Sequence, residues 1–324
     1  MTSLALRYVL LAAAVLVLNF LLPRLLPGDP LAATAEGGLS GALPALTSQQ
    51  QAQLRVTYHL DQPLASQFAS YVVDLARGDL GWSISRAAPV SRLIGERIPW
   101  TLSLVLTAVV IAATSGAALG LVAAWRGGHC DQALVGVCTA VAALPEFLVA
   151  MLLLLALSIG LHWFPLQGGE TLFAPPGQAW LATLGDRIVH LALPAASLVV
   201  ANLAAFVLLS RGAIRGVLAE PYLATARAKG LGEWRVALRH ATPNALLPVL
   251  TLFGMRLGQV LGGAIVVERV FAIPGLGLFA FQAIQARDYP VLQAIFLVSS
   301  LTVLLANFLV ELAHRRLEPR RYAA

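Results

Sequence analysis

The residues best placed to do chemistry form a cationic cluster. Arg227, Lys229, Arg235 and Arg239 lie within the polar stretch EPYLATARAKGLGEWRVALRHATPNALLP, Glu220 to Pro248, and Lys229 is the only lysine in the 324-residue chain. Guanidinium and ammonium groups spaced this closely suit carboxylate or phosphate partners. The chemistry they offer is recognition. No GxxxxGK[ST], HExxH, GxSxG or CxxC pattern occurs, so neither a phosphate-cradling loop of the chain's own nor a common hydrolytic centre is expected. His59, His129, His162, His190, His240 and His314 are scattered singly, and Cys130 and Cys138 lie eight apart, a spacing that fits neither a metal site nor a disulfide. These read as packing residues, leaving catalytic and metal-binding roles unfilled.

The second set is ionisable residues inside apolar runs, which are costly there and functional by default. Arg256 falls near the middle of one run and Glu146 in another; Glu311 lies late in the last, close enough to its end to snorkel. Arg256 suits an anionic substrate group such as a carboxylate. It equally suits an internal ion pair with Glu146 or another acid, and the residues leave both readings open.

The elements that must carry these groups are membrane helices. The chain is 58% hydrophobic and 12% charged, with mean hydropathy +0.78, against about 25% charged residues in soluble domains. Six runs reach the roughly 20 apolar residues that span a bilayer, at 8–26, 99–125, 133–159, 187–210, 244–267 and 289–312. The first reads as an uncleaved anchor, since the ATA tripeptide at Ala33 to Ala35 lies too far beyond its apolar core for easy cleavage. Arg7, Arg126, Arg211, Arg215, Arg227, Lys229, Arg235, Arg239, Arg315, Arg316, Arg320 and Arg321 then gather on one side. By the positive-inside rule that side, with both termini and the basic stretch, is cytoplasmic. The formal charge of +6 is thus a matter of topology, and no nucleic-acid partner is expected.

The basic stretch reads as a helical hairpin. Pro221 suits a first helical position, Gly230 and Gly232 break the helix, and Glu233 to Ala241 set Trp234 and Leu238 four apart. Thr242 and Pro243 read as N-cap and first residue of the next span. Residues 27–98 form an external loop, with helical spacing in LTSQQQAQLRVTYHL and PLASQFASYVVDLARG and a turn with a short extended piece at GDLGWSIS. Small residues in SGAALGLVAA and at Gly258, Gly262 and Gly263 mark close helix–helix contacts.

The chain resembles the membrane-spanning permease subunits of bacterial ABC importers for dipeptides, oligopeptides and nickel. PGDP at Pro27, LDQP at Leu60, GDLG at Gly78, YLATARAKGL from Tyr222, RHATPNALLPV from Arg239, GGAIVVERVFAIPGLG from Gly262 and RDYPVLQ from Arg287 follow in family order. The resemblance implies an all-α polytopic protein with the type I ABC importer permease fold. It divides into a first helix (1–26), an external, periplasmic region (27–98), a five-helix core (99–312) with a coupling loop at 220–243, and a tail (313–324). The loop would enter a groove of the ATPase through Tyr222, Ala224, Thr225, Ala226, Arg227, Lys229, Gly230 and Arg239. Aligned on Gly230, Ala224, Thr225 and Ala226 stand where the general pattern has Glu-Ala-Ala, His240 stands for its Ile, and Thr242-Pro243 for Leu-Pro. The implied partners are a second homologous permease, two ABC ATPase subunits that use ATP and Mg, and a periplasmic or lipid-anchored solute-binding protein, all at the bacterial inner membrane. This chain would bind no cofactor and catalyse nothing. It would pass di- or oligopeptides by alternating access, along a path including Arg256, Gln259 and Glu146. A nickel or metal-chelate importer is the alternative within the family, and a stand-alone channel or secondary transporter the alternative outside it.

Overall fold

A computed structural model describes residues 2–25, 62–171, 179–258 and 264–317. The PGDP motif, the expected helix over 46–60, Gln259, Gly262, Gly263, Arg320 and Arg321 lie outside the described residues. The chain forms two compact units, Met1–Pro99 with Gly275–Leu304, and Trp100–Pro274 with Leu305–Ala324.

In the first unit, helix α1 (Thr2–Leu25) carries an almost wholly apolar surface. Its buried polar residue is Asn19, whose Nδ2 donates to Tyr71 Oη at 2.9 Å and to the Gln293 carbonyl at 3.1 Å. Tyr71 belongs to α2 (Leu64–Ala76), which Gly78 closes at φ +79° as its sequence suggests. The extended piece is a two-residue hairpin, β1 (Trp82–Ser83) antiparallel to β2 (Ala88–Pro89), with Trp82 opposite Pro89 and Ser83 opposite Ala88. Asp288, 1% exposed, holds it: its Oδ2 accepts from Ser83 Oγ at 2.6 Å, Ser85 Oγ at 2.6 Å and the Ser85 amide at 3.0 Å. Helix α11 (Leu276–Gln285) and the start of α12 (Tyr289–Leu317) complete the unit.

Four described helices are long and apolar enough to cross a membrane: α1, α3 (Val90–Arg126), α6 (Trp180–Leu218) and α12. A bent pair supplies a fifth if counted as one span. Helix α3 begins nine residues before the expected span at 99 and keeps Pro99 inside it. It therefore runs back into the region read as external loop. At 1.5 Å per residue its 37 residues extend about 55 Å, well past a hydrocarbon core of about 30 Å.

The third expected span, 133–159, is not one helix. Helix α4 (Gly128–Ala142) and α5 (Glu146–Leu153, continued by a π turn over Leu154–Gly160) meet at 97°. The break is Pro145, at φ −59° and ψ 140°. Proline lacks the N–H that would continue the ladder and pushes Leu144 out of the helical region. Of the fifth expected span, α9 (Thr242–Gly258) and α10 (Ile265–Val270) are described.

In the second unit α3 and α6 pack along glycines. A Cβ on Gly116 would lie 2.5 Å from Phe206 Cβ, and one on Gly120 2.8 Å from both the Arg211 amide nitrogen and the Val207 carbonyl oxygen. The SGAALG segment therefore lets two backbones approach closely. Ser210 Oγ lies 3.1 Å from the Gly116 carbonyl across the same seam.

Candidate functional site

The basic stretch folds as the expected hairpin. Helix α7 (Pro221–Ala228) starts on Pro221, Gly230 turns the chain at φ +77°, and Gly232 precedes α8 (Glu233–Val236). Leu223 and Ala226, three apart, present one face. With Val236 and Ala241 they form a small buried core that Trp125, Val217, Leu218 and Leu231 cover. Tyr222 Oη donates to the His240 carbonyl at 3.1 Å and accepts from Asn244 Nδ2 at 2.8 Å, tying the hairpin's entry to its exit. It is a folded module whose positions are set by its own packing.

One junction differs from the sequence reading. Thr242 is not an N-cap: its φ −58° and ψ −45° are helical, and α8 continues through a π turn (Ala237–Ala241) into α9. Pro243 explains the widening. In an α-helix its missing N–H and its ring would strand the carbonyl four residues earlier; the i→i+5 register absorbs the gap. Thr242 Oγ1 donates instead to the Ala237 carbonyl at 2.9 Å.

The module shows a mixed outer surface. Trp234 and Leu238 are each 56% exposed and Tyr222 is 40% exposed, and Ala224, Thr225, Lys229, Gly230, Arg235 and Arg239 are exposed beside them. Ala226 is buried in the hairpin's own core and is not available to a partner. Arg227 is used internally: its Nε donates to Glu233 Oε1 at 3.2 Å, and its guanidinium lies 6.0 Å from the Trp125 ring centroid. Among the described residues Lys229, Arg235 and Arg239 form no salt bridge.

Beneath the hairpin lies a cluster that the sequence reading missed. Asp131, in the first turn of α4, is 2% exposed. Arg211 grips both its oxygens, Nε on Oδ1 and Nη2 on Oδ2 at 2.7 Å, and Arg215 Nη2 donates to Oδ2 at 2.5 Å. The available signal was the pairing of Arg211 and Arg215 one turn apart at the end of a span, with an acid at the start of another.

Glu146 stands at the break between α4 and α5, and Arg256 on α9 lies within electrostatic reach of it. Glu146 Oε1 is buried and has no hydrogen-bond partner among the described residues. Glu311 bonds Arg315 one turn on, at 3.3 Å.

With this geometry in view, residues 116–322 match the family described as "Binding-protein-dependent transport system inner membrane component". The chain is 35% identical over 312 residues to a probable peptide ABC transporter permease protein of Sinorhizobium fredii, covering 95% of this chain and 94% of that one. It is 35% identical to an oligopeptide transport system permease protein of Bacillus subtilis (94% and 93% covered). It is 37% identical to a glutathione transport system permease protein of Pectobacterium atrosepticum (94% and 92% covered). A crystal structure of an amino acid ABC transporter with histidines superposes with TM-score 0.47 and 18% identity, over 70% of this chain and 94% of that chain.

Proposed function

The chain belongs to the family of binding-protein-dependent transport inner membrane components, the permease subunits of ABC importers, and from that premise we propose that its cargo is di- or oligopeptides. The three relatives named above are peptide, oligopeptide and glutathione permeases, and glutathione is itself a tripeptide. On this reading a solute-binding protein delivers the peptide at the periplasmic face, and a second, homologous permease shares the path. Two ATPase subunits grip the hairpins of the pair on the cytoplasmic face, where both termini also lie.

The observation that carries the coupling role is the exposure of Trp234 and Leu238 on a hairpin that already owns a core. Large apolar side chains exposed beside cations that form no salt bridge among the described residues, on a module with its own core, suit a protein groove with an acidic rim. Tyr222, Ala224, Thr225, Lys229, Gly230 and Arg239 form this surface, Ala226 packs behind it, and Arg227, itself exposed, is tied to Glu233 across the hairpin. ATP-driven closure of the ATPases then moves the hairpin as a lever. Transport results because the inward and outward states differ in the contacts they offer. Within the membrane, Arg256, Gln259 and Glu146 line the path, with Arg256 suited to a peptide carboxylate.

The test is ATP hydrolysis by the purified assembly in lipid, with binding protein loaded in turn with a dipeptide, a longer peptide and a nickel chelate. Stimulation by either peptide is the expected result. Stimulation by the chelate alone moves the cargo to metal, and failure of any ATPase to co-purify overturns the coupling role in favour of a stand-alone channel or secondary transporter.

A further inference from the structure

The hairpin reaches the membrane helices by two routes. One is covalent: α6 ends at Leu218, two residues before the hairpin's Glu220. The second is packing, since Trp125 near the end of α3 covers the hairpin core and lies under Arg227. Helix α4 has neither. It joins α3 only through Gly127 and Gly128, both at φ +64° with no atom within 4 Å of where a side chain would be, a linkage that resists bending poorly. Leu134 and Cys138 pack it on Ala204 and Val207 of α6, and its polar tie at the hairpin end is Asp131, held by Arg211 and Arg215 at seven and three residues from the end of α6, about 10 and 5 Å along the axis. Helix α4 in turn leads straight to the 97° break and Glu146.

We propose that Asp131 is a positioning residue of the transport cycle: clamped by Arg211 and Arg215, it makes α4 move with the hairpin and α6 as one body, so that nucleotide-driven displacement of the hairpin reaches the broken span. This rests on the coupling role given to the hairpin above. The arrangement suits a transmission contact. A carboxylate held by three hydrogen bonds from two guanidiniums has a fixed direction as well as attraction, and the clamp extends to the first turn of α4 the packing that Leu134 and Cys138 make on Ala204 and Val207 of α6.

The experiment uses the complete assembly in lipid vesicles, with spin labels on the native, exposed Cys130 and on Ala228→Cys in the hairpin, and Cys138→Ser to remove the buried thiol. With Asp131 intact, the distance distribution should stay narrow and unchanged between the nucleotide-free and vanadate-trapped states. In Asp131→Asn it should broaden or shift on trapping, while dipeptide transported per ATP hydrolysed falls about tenfold and ATP hydrolysis stays within twofold. A purely structural role would lower both rates together and leave their ratio unchanged. That result, or identical distance distributions in the two variants, overturns the proposal. If Asp131→Asn does not assemble, Arg215→Gln, which leaves Arg211 on both oxygens, carries the same measurements with a smaller expected fall of about threefold. Absence of a co-purifying ATPase with the unsubstituted chain instead marks failure of the coupling role itself.

Discussion

Replacing Gly120 with alanine is a severe test of the packing described for the second unit, because the added methyl group meets backbone. Its Cβ would collide with Ser210 Oγ and lie 2.8 Å from both the Arg211 amide nitrogen and the Val207 carbonyl oxygen. Ser210 can swing its hydroxyl away, at the loss of a buried hydrogen bond worth about 1 kcal/mol. The peptide groups cannot. An ordinary contact begins near 3.4 Å, so 3.4 less 2.8 leaves about 0.6 Å by which α3 and α6 must separate. Overpacking of that kind costs roughly 1–3 kcal/mol, while the better helix propensity of alanine returns about 0.5–1 kcal/mol. The expected net loss is about 1–3 kcal/mol, a fall of roughly 3–10 °C in Tm on the scale of soluble domains. The assay is a melt followed by a thiol-reactive dye at the buried Cys138, in a Cys130→Ser background. Gly212→Ala is the internal control, since its Cβ would meet nothing within 4 Å and the substitution should be neutral or mildly stabilising. Gly120→Ala melting within 1 °C of the parent, or no lower than Gly212→Ala, would refute the idea that this glycine permits the close approach of the helices.

Gly230→Ala tests the turn of the hairpin: at φ +77° a Cβ costs roughly 1–2 kcal/mol. Amide exchange at Leu223 and Val236 should accelerate about 5- to 30-fold, and unchanged exchange would show that the turn is not held left-handed. Asp288→Asn removes the charge that accepts three hydrogen bonds from Ser83 and Ser85, a loss of about 1.5–3 kcal/mol. Tryptic cleavage after Arg86, which the intact hairpin holds on Gln282 Oε1 at 2.7 Å, should quicken at least tenfold; equal rates would mean that Asp288 does not fasten the hairpin.

The features legible in the sequence were those decided within a few residues. Pro221 opening a helix, Gly230 turning it and Gly78 closing another are consequences of one residue's backbone, and the structure places each as read. The break inside the third expected span was illegible for the opposite reason. An apolar window averages over residues, and Leu144 and Pro145 barely change the mean, yet one missing N–H bends the chain by 97°. Thr242-Pro243 was ambiguous in principle. The same pair caps a new helix or sits inside an old one, and the widened π turn before it decides the matter only once the hairpin has folded.

Polar residues paired across long separations were the least legible. Asp131 finds Arg211 eighty residues away, and Asn19 finds Gln293 across 274. The turn-spaced Arg211 and Arg215 are a local signal, but nothing in it points to Asp131, and counting charges for topology treats them as interchangeable with any other cation near a span. The burial of the acid they share is what distinguishes them. An exposed pair such as Arg92 and Glu96 at 2.9 Å, one turn apart, adds at most a few tenths of a kcal/mol. Asp131 is 2% exposed, and its hydrogen bonds to Arg211 and Arg215 replace the water that its carboxylate has lost. A sequence that places a carboxylate at the start of one apolar helix must therefore also supply its cations. In this chain the helix that supplies them runs directly into the hairpin, so the requirement to neutralise Asp131 also ties α4 to the part of the molecule that a partner can push.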